Sequence, residues 1–197
     1  MMKRNLIRIV TGVLAILTVT STTYAGAEAF TLDNQHSYVL WNIKHMGFST
    51  QTGKWYVNGQ VILDKDHPDK SKVNVSIKIA DVITGIPALD KHLKEETFFD
   101  AEKFPFATFV SDKVNVLSKN TAKVEGTLTL RGVSKPVILN VTLNKFGLNP
   151  MNHKNAAGFT ATTTIKRSDF GMTTYLPDLG DEVSIQIGAE AFQNKSN

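Results

Sequence analysis

In the stretch Val73-Asn74-Val75-Ser76-Ile77-Lys78-Ile79 every odd position is apolar and every even position polar. At a period of two, one face of an extended chain is buried and the other wetted. The rule recurs in Trp55, Val57, Val61 and Leu63, in Val124, Leu128 and Leu130, in Val137, Leu139, Val141 and Leu143, and in Val183, Ile185, Ile187 and Ala189. With Val39 to Met46, Phe104 to Val116 and Phe159 to Arg167 the pattern predicts eight strands, and Phe30 to Leu32 can add a short one. Breakers separate them at Asp66-His67-Pro68-Asp69, Ser118-Lys119-Asn120, Gly132 to Pro136, Gly147 to Asn155 and Pro177 to Asp181. One segment reads as a helix, Ile86 to Glu96, with Pro87 at its first position, Thr84 as a cap nearby, and Leu89 and Leu93 one turn apart. Alternating strands with short connections describe an all-β, up-and-down antiparallel sheet. Such a sheet hides its edges best by closing into an eight-stranded barrel, with a sandwich as the alternative.

The first residues have a different character. Lys3, Arg4 and Arg8 precede an apolar run from Ile9 to Val19 that is shorter than the roughly 20 residues of a membrane span. This is the layout of a secretory signal peptide, expected to occupy residues 1 to 27 and to be cut after Ala25 or Ala27. The expected location is the periplasm, with the extracellular space as second choice, and the remaining 28–197 read as one domain. The full chain carries 22 Lys and Arg against 18 Asp and Glu, a formal charge of +4. Losing three cations leaves 19 against 18, or +1, too little to draw in nucleic acid or an anionic membrane. The chain contains no cysteine, which excludes a disulfide framework, a thiol catalyst and a cysteine-linked lipid anchor.

A closed barrel of eight strands has an interior that is either filled or holds one small ligand, and the inward faces here would be apolar. Phe98, Phe99, Phe104, Phe106 and Phe109 place five of the eleven phenylalanines directly after the helix. They either pack a barrel end or wall a long apolar cavity. Three polar residues fall on apolar faces: His45 beside Trp41 and Ile43, and Thr163 and Arg167 beyond Phe159. Arg167 reads as a rim salt bridge with Asp169 or Asp90, or as a polar handle for a ligand head group. An outer-membrane barrel would turn its apolar face outward, against Lys44, Lys78, Lys123 and Lys166 on the polar faces. The five histidines show no metal-binding spacing, and no nucleophile elbow or phosphate loop is present, so no cofactor is expected. Asp90-Lys91-His92 is the one group suggestive of catalysis.

Several short motifs, in order, resemble a known family. They are Gln35-His36-Ser37, Ile43-Lys44-His45-Met46-Gly47-Phe48-Ser49, Asp90-Lys91-His92-Leu93 leading to Phe98-Phe99-Asp100, and Phe104-Pro105. Gly126-Thr127-Leu128-Thr129-Leu130-Arg131-Gly132-Val133-Ser134-Lys135-Pro136, Ala157-Gly158-Phe159, Ile165 to Gly171 and Glu182-Val183 follow. Together they resemble the YceI family of periplasmic polyisoprenoid-binding proteins over about Phe30 to Gln193. The resemblance implies a lipocalin-like, extended eight-stranded antiparallel barrel with one short helix and a long apolar tunnel. It also implies a partner that is a polyisoprenoid, a quinone-like lipid or another long-chain amphiphile. From facing, the expected lining is Trp41, Ile43, Trp55, Val57, Phe98, Phe99, Phe106, Phe159, Ile165 and Phe170, with His45, His92 and Arg167 as polar contacts. No nucleic acid partner and no stable membrane anchor are expected, and a homodimer is left open. The function expected is transport or storage without catalysis; the alternative is an enzyme acting on a lipid through His45, Asp90 or His92.

Overall fold

The computed structural model describes residues 26 to 194. Most of the expected signal peptide, including the bond after Ala25, begins outside the described residues. Ten strand segments form one antiparallel sheet that closes on itself: β1 (Glu28–Leu32), β2 (Tyr38–His45), β3 (Ser49–Tyr56), β4 (Asn58–Leu63), β5 (Lys72–Lys78), β6 (Phe106–Val116), β7 (Thr121–Leu130), β8 (Val133–Leu148), β9 (Asn155–Lys166) and β10 (Leu179–Gln193). They make eight staves, because two pairs of segments are interrupted single strands. β1 and β2 both run along β10, with Phe30 opposite Gln193 and Tyr38 opposite Gly188. β3 and β4 both run along that first stave, with Tyr56 opposite Tyr38 and Gln60 opposite Thr31. The protein is therefore an eight-stranded closed antiparallel barrel, and closure removes the exposed edges that an open sheet would leave.

Local chemistry explains both interruptions. Between β1 and β2 the chain turns outward, and the fully buried Ser37 hydroxyl takes the vacated place, donating to the Glu190 carbonyl at 3.0 Å and accepting from the Glu190 amide at 3.1 Å. Between β3 and β4, Val57 stands apart and its amide donates to the Ser37 carbonyl at 3.0 Å. Gly59 lets β4 press onto β5, since a Cβ there would meet the Asn74 carbonyl and Val75. The turn from β7 to β8 is Arg131-Gly132, with φ of 51° and 72°, tighter than the expected break from Gly132 to Pro136. Pro136 is tolerated inside β8 because pairing with β9 starts only at Asn140.

The long connections gather at one end, called here the helix end. It holds the β2–β3 turn, the segment between β5 and β6 with helix α1 (Pro87–Leu93), and the segment between β9 and β10. The helix is shorter than the expected 86–96. Its start is secured from the far side of a turn, where Asp90 Oδ1 accepts from the Thr84 amide at 2.8 Å and hydroxyl at 2.6 Å. Arg131 ties this end together by donating to the carbonyls of Glu96 at 2.8 Å and Gly171 at 3.1 Å. The opposite end carries the β4–β5 connection and the β6–β7 and β8–β9 turns, and is called the turn end. Lys44, Lys78, Lys123 and Lys166 are all exposed on the outer face.

Candidate ligand tunnel

The inward residues do not meet at the barrel axis. They pack as four separate apolar groups around a cavity of about 850 Å³. That lies within the roughly 300–1,000 Å³ of small-molecule sites. Residues from both ends line it: His45, Met46, Ile86, His92, Phe98 and Tyr175 at the helix end, and Asp64, Pro68, Val116, Lys119 and Phe146 at the turn end. The cavity is thus a tunnel along the barrel. Its wall between the ends is formed almost wholly by Val, Leu, Ile, Ala and aromatic side chains, a surface that favours apolar contents over water.

Aromatic side chains shape the helix end. The rings of Trp41 and Trp55 lie 6.2 Å apart, and Phe99 meets Trp55 edge-on at 5.2 Å. The Trp55 indole N–H donates to the Ile79 carbonyl at 3.1 Å, which pins that ring to the tunnel wall. Trp41 lies over Gly53 of the neighbouring strand, and any Cβ at Gly53 would occupy the place of the indole. Phe98 stands between His92 at 4.8 Å and Tyr175 at 6.2 Å. At the turn end, Phe146 leans back from β8 onto Phe30 at 5.8 Å, with the Lys65 ammonium 4.3 Å above its ring.

Of the residues expected at the site, Trp41, Ile43, His45, Trp55, Val57, His92, Phe98, Phe99, Phe159, Ile165 and Arg167 lie along the tunnel. Phe106 does not: it is 55% exposed on the outer face, next to buried Ala107. The reason is a bulge between Ser111 and Lys113 in β6. Before it the odd residues Ala107 and Phe109 face inward, and after it the even residue Val114 does, so a single phase over Phe104 to Val116 assigns Phe106 to the wrong face. Phe104 and Pro105 precede the strand altogether. Phe170 is 1% exposed but off the tunnel, packed with Ile79, Ala107, Leu130 and Met172 in a plug at the helix end. Further residues line the tunnel beyond the expected set, among them Val39, Val75, Val141 and Ile187, which the same alternation points inward, and the aromatic Phe109, Phe146 and Tyr175.

Arg167 makes neither of the salt bridges expected of it. The residue is 4% exposed, and its guanidinium donates to three backbone carbonyls, Gly180 at 2.7 Å, Met172 at 2.8 Å and Leu179 at 3.0 Å. It therefore secures the chain entering β10. Burial pushes its pKa down, and the nearby Asp181 charge opposes that. Burial would in turn raise the Asp181 carboxyl, but bonds from the Ser168 amide at 2.9 Å and hydroxyl at 2.8 Å, with the Arg167 charge, outweigh it and hold the carboxyl below its ordinary value. The suggested Asp90 and His92 pair does not form. Asp90 is held by Thr84, and His92 Nδ1 lies 2.8 Å from Glu95 Oε2. Among the described residues no three His, Asp or Glu side chains come together as a metal site.

Fold and tunnel together define a lipocalin-like closed barrel around a largely apolar cavity. Residues 30–191 match the YceI-like domain. The chain is 35% identical to a UPF0312 protein of Pseudomonas fluorescens, over 92% of this chain and 98% of that one, and 35% identical to UPF0312 protein plu2095 of Photorhabdus laumondii, over 99% and 100%. Among solved structures, the Campylobacter jejuni YceI protein is 31% identical with a TM-score of 0.70, covering 77% of this chain and 90% of that one. Burkholderia cenocepacia BcnA is 25% identical with a TM-score of 0.73, covering 81% and 98%. A polyisoprenoid binding domain from Saccharophagus degradans shares the fold at 13% identity and a TM-score of 0.66, covering 85% and 99%. This chain belongs to the YceI-like domain family.

Proposed function

We propose that the protein carries or stores a long-chain apolar amphiphile, a polyisoprenoid, a quinone-like lipid or a fatty chain, in its barrel tunnel, and that it does so in the periplasm after export by its N-terminal segment. The observation that supports this reading is the tunnel itself: a largely apolar void along a closed barrel, with its charged and imidazole side chains at the two ends and hydroxyls such as that of Thr163 between them. At ~0.8 kcal/mol per buried CH2, a long chain binds such a wall tightly with few specific contacts. The use of the same fold as a polyisoprenoid binding domain in Saccharophagus degradans agrees with that choice of ligand class. On this reading the aromatic and aliphatic side chains of the tunnel wall, among them Trp41, Trp55, Phe98, Phe99, Phe159 and Ile165, would be the ligand's contacts. The Asp90 and His92 pairing on which the enzyme alternative drew is replaced by contacts of Asp90 with Thr84 and of His92 with Glu95.

Native mass spectrometry of the protein in the form its cells accumulate tests the proposal. A retained mass that fragments as an isoprenoid or acyl lipid is expected, on a chain starting at Gly26 or Glu28. An empty barrel that takes up none of these lipids when offered them would refute the ligand, and an intact Met1 would refute the export step.

A further inference from the structure

A formal charge near zero conceals a difference between the two ends of the barrel. No Asp or Glu occurs between Glu125 and Asp169, so every charged side chain of the β8–β9 hairpin at the turn end is cationic, while the β4–β5 connection and the start of β5 at the same end are balanced, Asp64, Asp66 and Asp69 against Lys65, Lys70 and Lys72. At the tips of the two neighbouring turns, Leu117 is 60% exposed, Leu148 62% and Met151 91%. Exposed Lys119, Lys145 and Lys154 stand among them. The turns lie side by side, because the Leu143 amide donates to the Asn120 carbonyl at 2.8 Å; beyond Leu143, β8 pairs with β9 alone and the hairpin projects. At the helix end the segment from Ile79 to Pro105 holds six acidic residues against three lysines. The same turn-end loops frame the tunnel, since Val116, Lys119 and Phe146 line it.

Exposed aliphatic side chains interleaved with lysines are what a protein surface presents to an anionic bilayer: the apolar groups enter the interface and the ammonium groups meet lipid phosphates. The acidic helix end would be repelled by the same surface, so the charge difference orients the barrel. A tunnel mouth within the docking face also spares an apolar cargo the passage through water. We propose that the turn end docks transiently on an anionic phospholipid surface, with Leu117, Leu148 and Met151 in the interface and the tunnel opening onto the bilayer. The purpose of docking rests on the carrier reading, but docking itself requires no cargo.

The test is co-sedimentation of the protein, in the form its cells accumulate, with phosphatidylcholine vesicles with and without phosphatidylglycerol. Binding to the mixed vesicles is expected, weakening as salt is raised. At about fivefold per lysine, Lys119→Gln with Lys154→Gln lowers the partition coefficient about 25-fold. Met151→Ser lowers it about tenfold by removing one apolar contact. Lys91→Gln with Lys94→Gln, at the helix end, leaves it unchanged. Equal binding to neutral vesicles, no binding to either kind, or an equal loss from the helix-end variant overturns the proposal. Uptake of a fluorescent fatty acid from free solution reports the tunnel separately: its absence overturns the carrier reading, whereas absent vesicle binding overturns docking alone.

Discussion

Filling the tunnel from its own wall separates an open interior from an ordinary packed core. Ala161 faces inward at mid-barrel, is 6% exposed, and stands between Val141 of β8 and Ile187 of β10 on the tunnel wall. In Ala161→Trp the indole enters a void of about 850 Å³ rather than displacing neighbours, so the barrel keeps its stability. In a packed core the same change would overfill the site and cost about 1–3 kcal/mol or more. The ligand pays instead. If the ring keeps about six methylenes of a long chain out of the tunnel, the loss is about 5 kcal/mol at ~0.8 kcal/mol each, more than a thousandfold in Kd. Thermal unfolding reports the first quantity, and displacement of a fluorescent fatty acid by unlabelled lipid the second. A variant that is strongly destabilised yet binds lipid as before would refute the reasoning, because the interior would then be full and the lipid bound elsewhere.

Other expectations follow from single contacts. Gly53→Ala puts a methyl group where the Trp41 indole lies, and is expected to cost about 1–3 kcal/mol in urea unfolding with a shifted tryptophan emission; unchanged emission would mean that the ring is not held there. Arg167→Met strands three carbonyls and is expected to cost about 3 kcal/mol or more, with lipid affinity measured below the unfolding transition changing far less. An affinity loss without a stability loss would restore its reading as a head-group contact. Asp181 ionises more readily folded than unfolded, so its contribution is complete above its ordinary value of 3.8 and is lost as pH falls through the lower folded value. Asp181→Asn should therefore be less stable than the parent at neutral pH, with the gap closing in strong acid; a gap that persists there would contradict the assignment.

The barrel was legible wherever alternation was unbroken, as in Val73 to Ile79, because a period of two specifies both the strand and its buried face. It failed at Ser49 to Lys54, the first part of β3, whose inward positions are Gln51 and Gly53. Gly53 is empty because Trp41 across the ladder fills its space, a relation between strands that no single strand displays. The kink between β3 and β4 was hidden in the same way, since Gly59 makes room for β5. Phe106 was placed on the wrong face by a bulge that adds one residue without a compositional mark, and Phe170 by a plug that only the tertiary fold creates. Arg167 was recognised as anomalous on an apolar face. Its partners could not be read, because backbone carbonyls leave no trace in side-chain sequence.

The central claim is that the barrel interior binds by apolar burial along its length, and the dependence of affinity on chain length tests it most directly. Calorimetric titration with a homologous series of isoprenoid alcohols or fatty acids should give a gain of ~0.8 kcal/mol per added CH2 and a negative heat-capacity change, until the tunnel is full and the gain stops. Affinity independent of chain length, or set by the head group alone, would contradict the account.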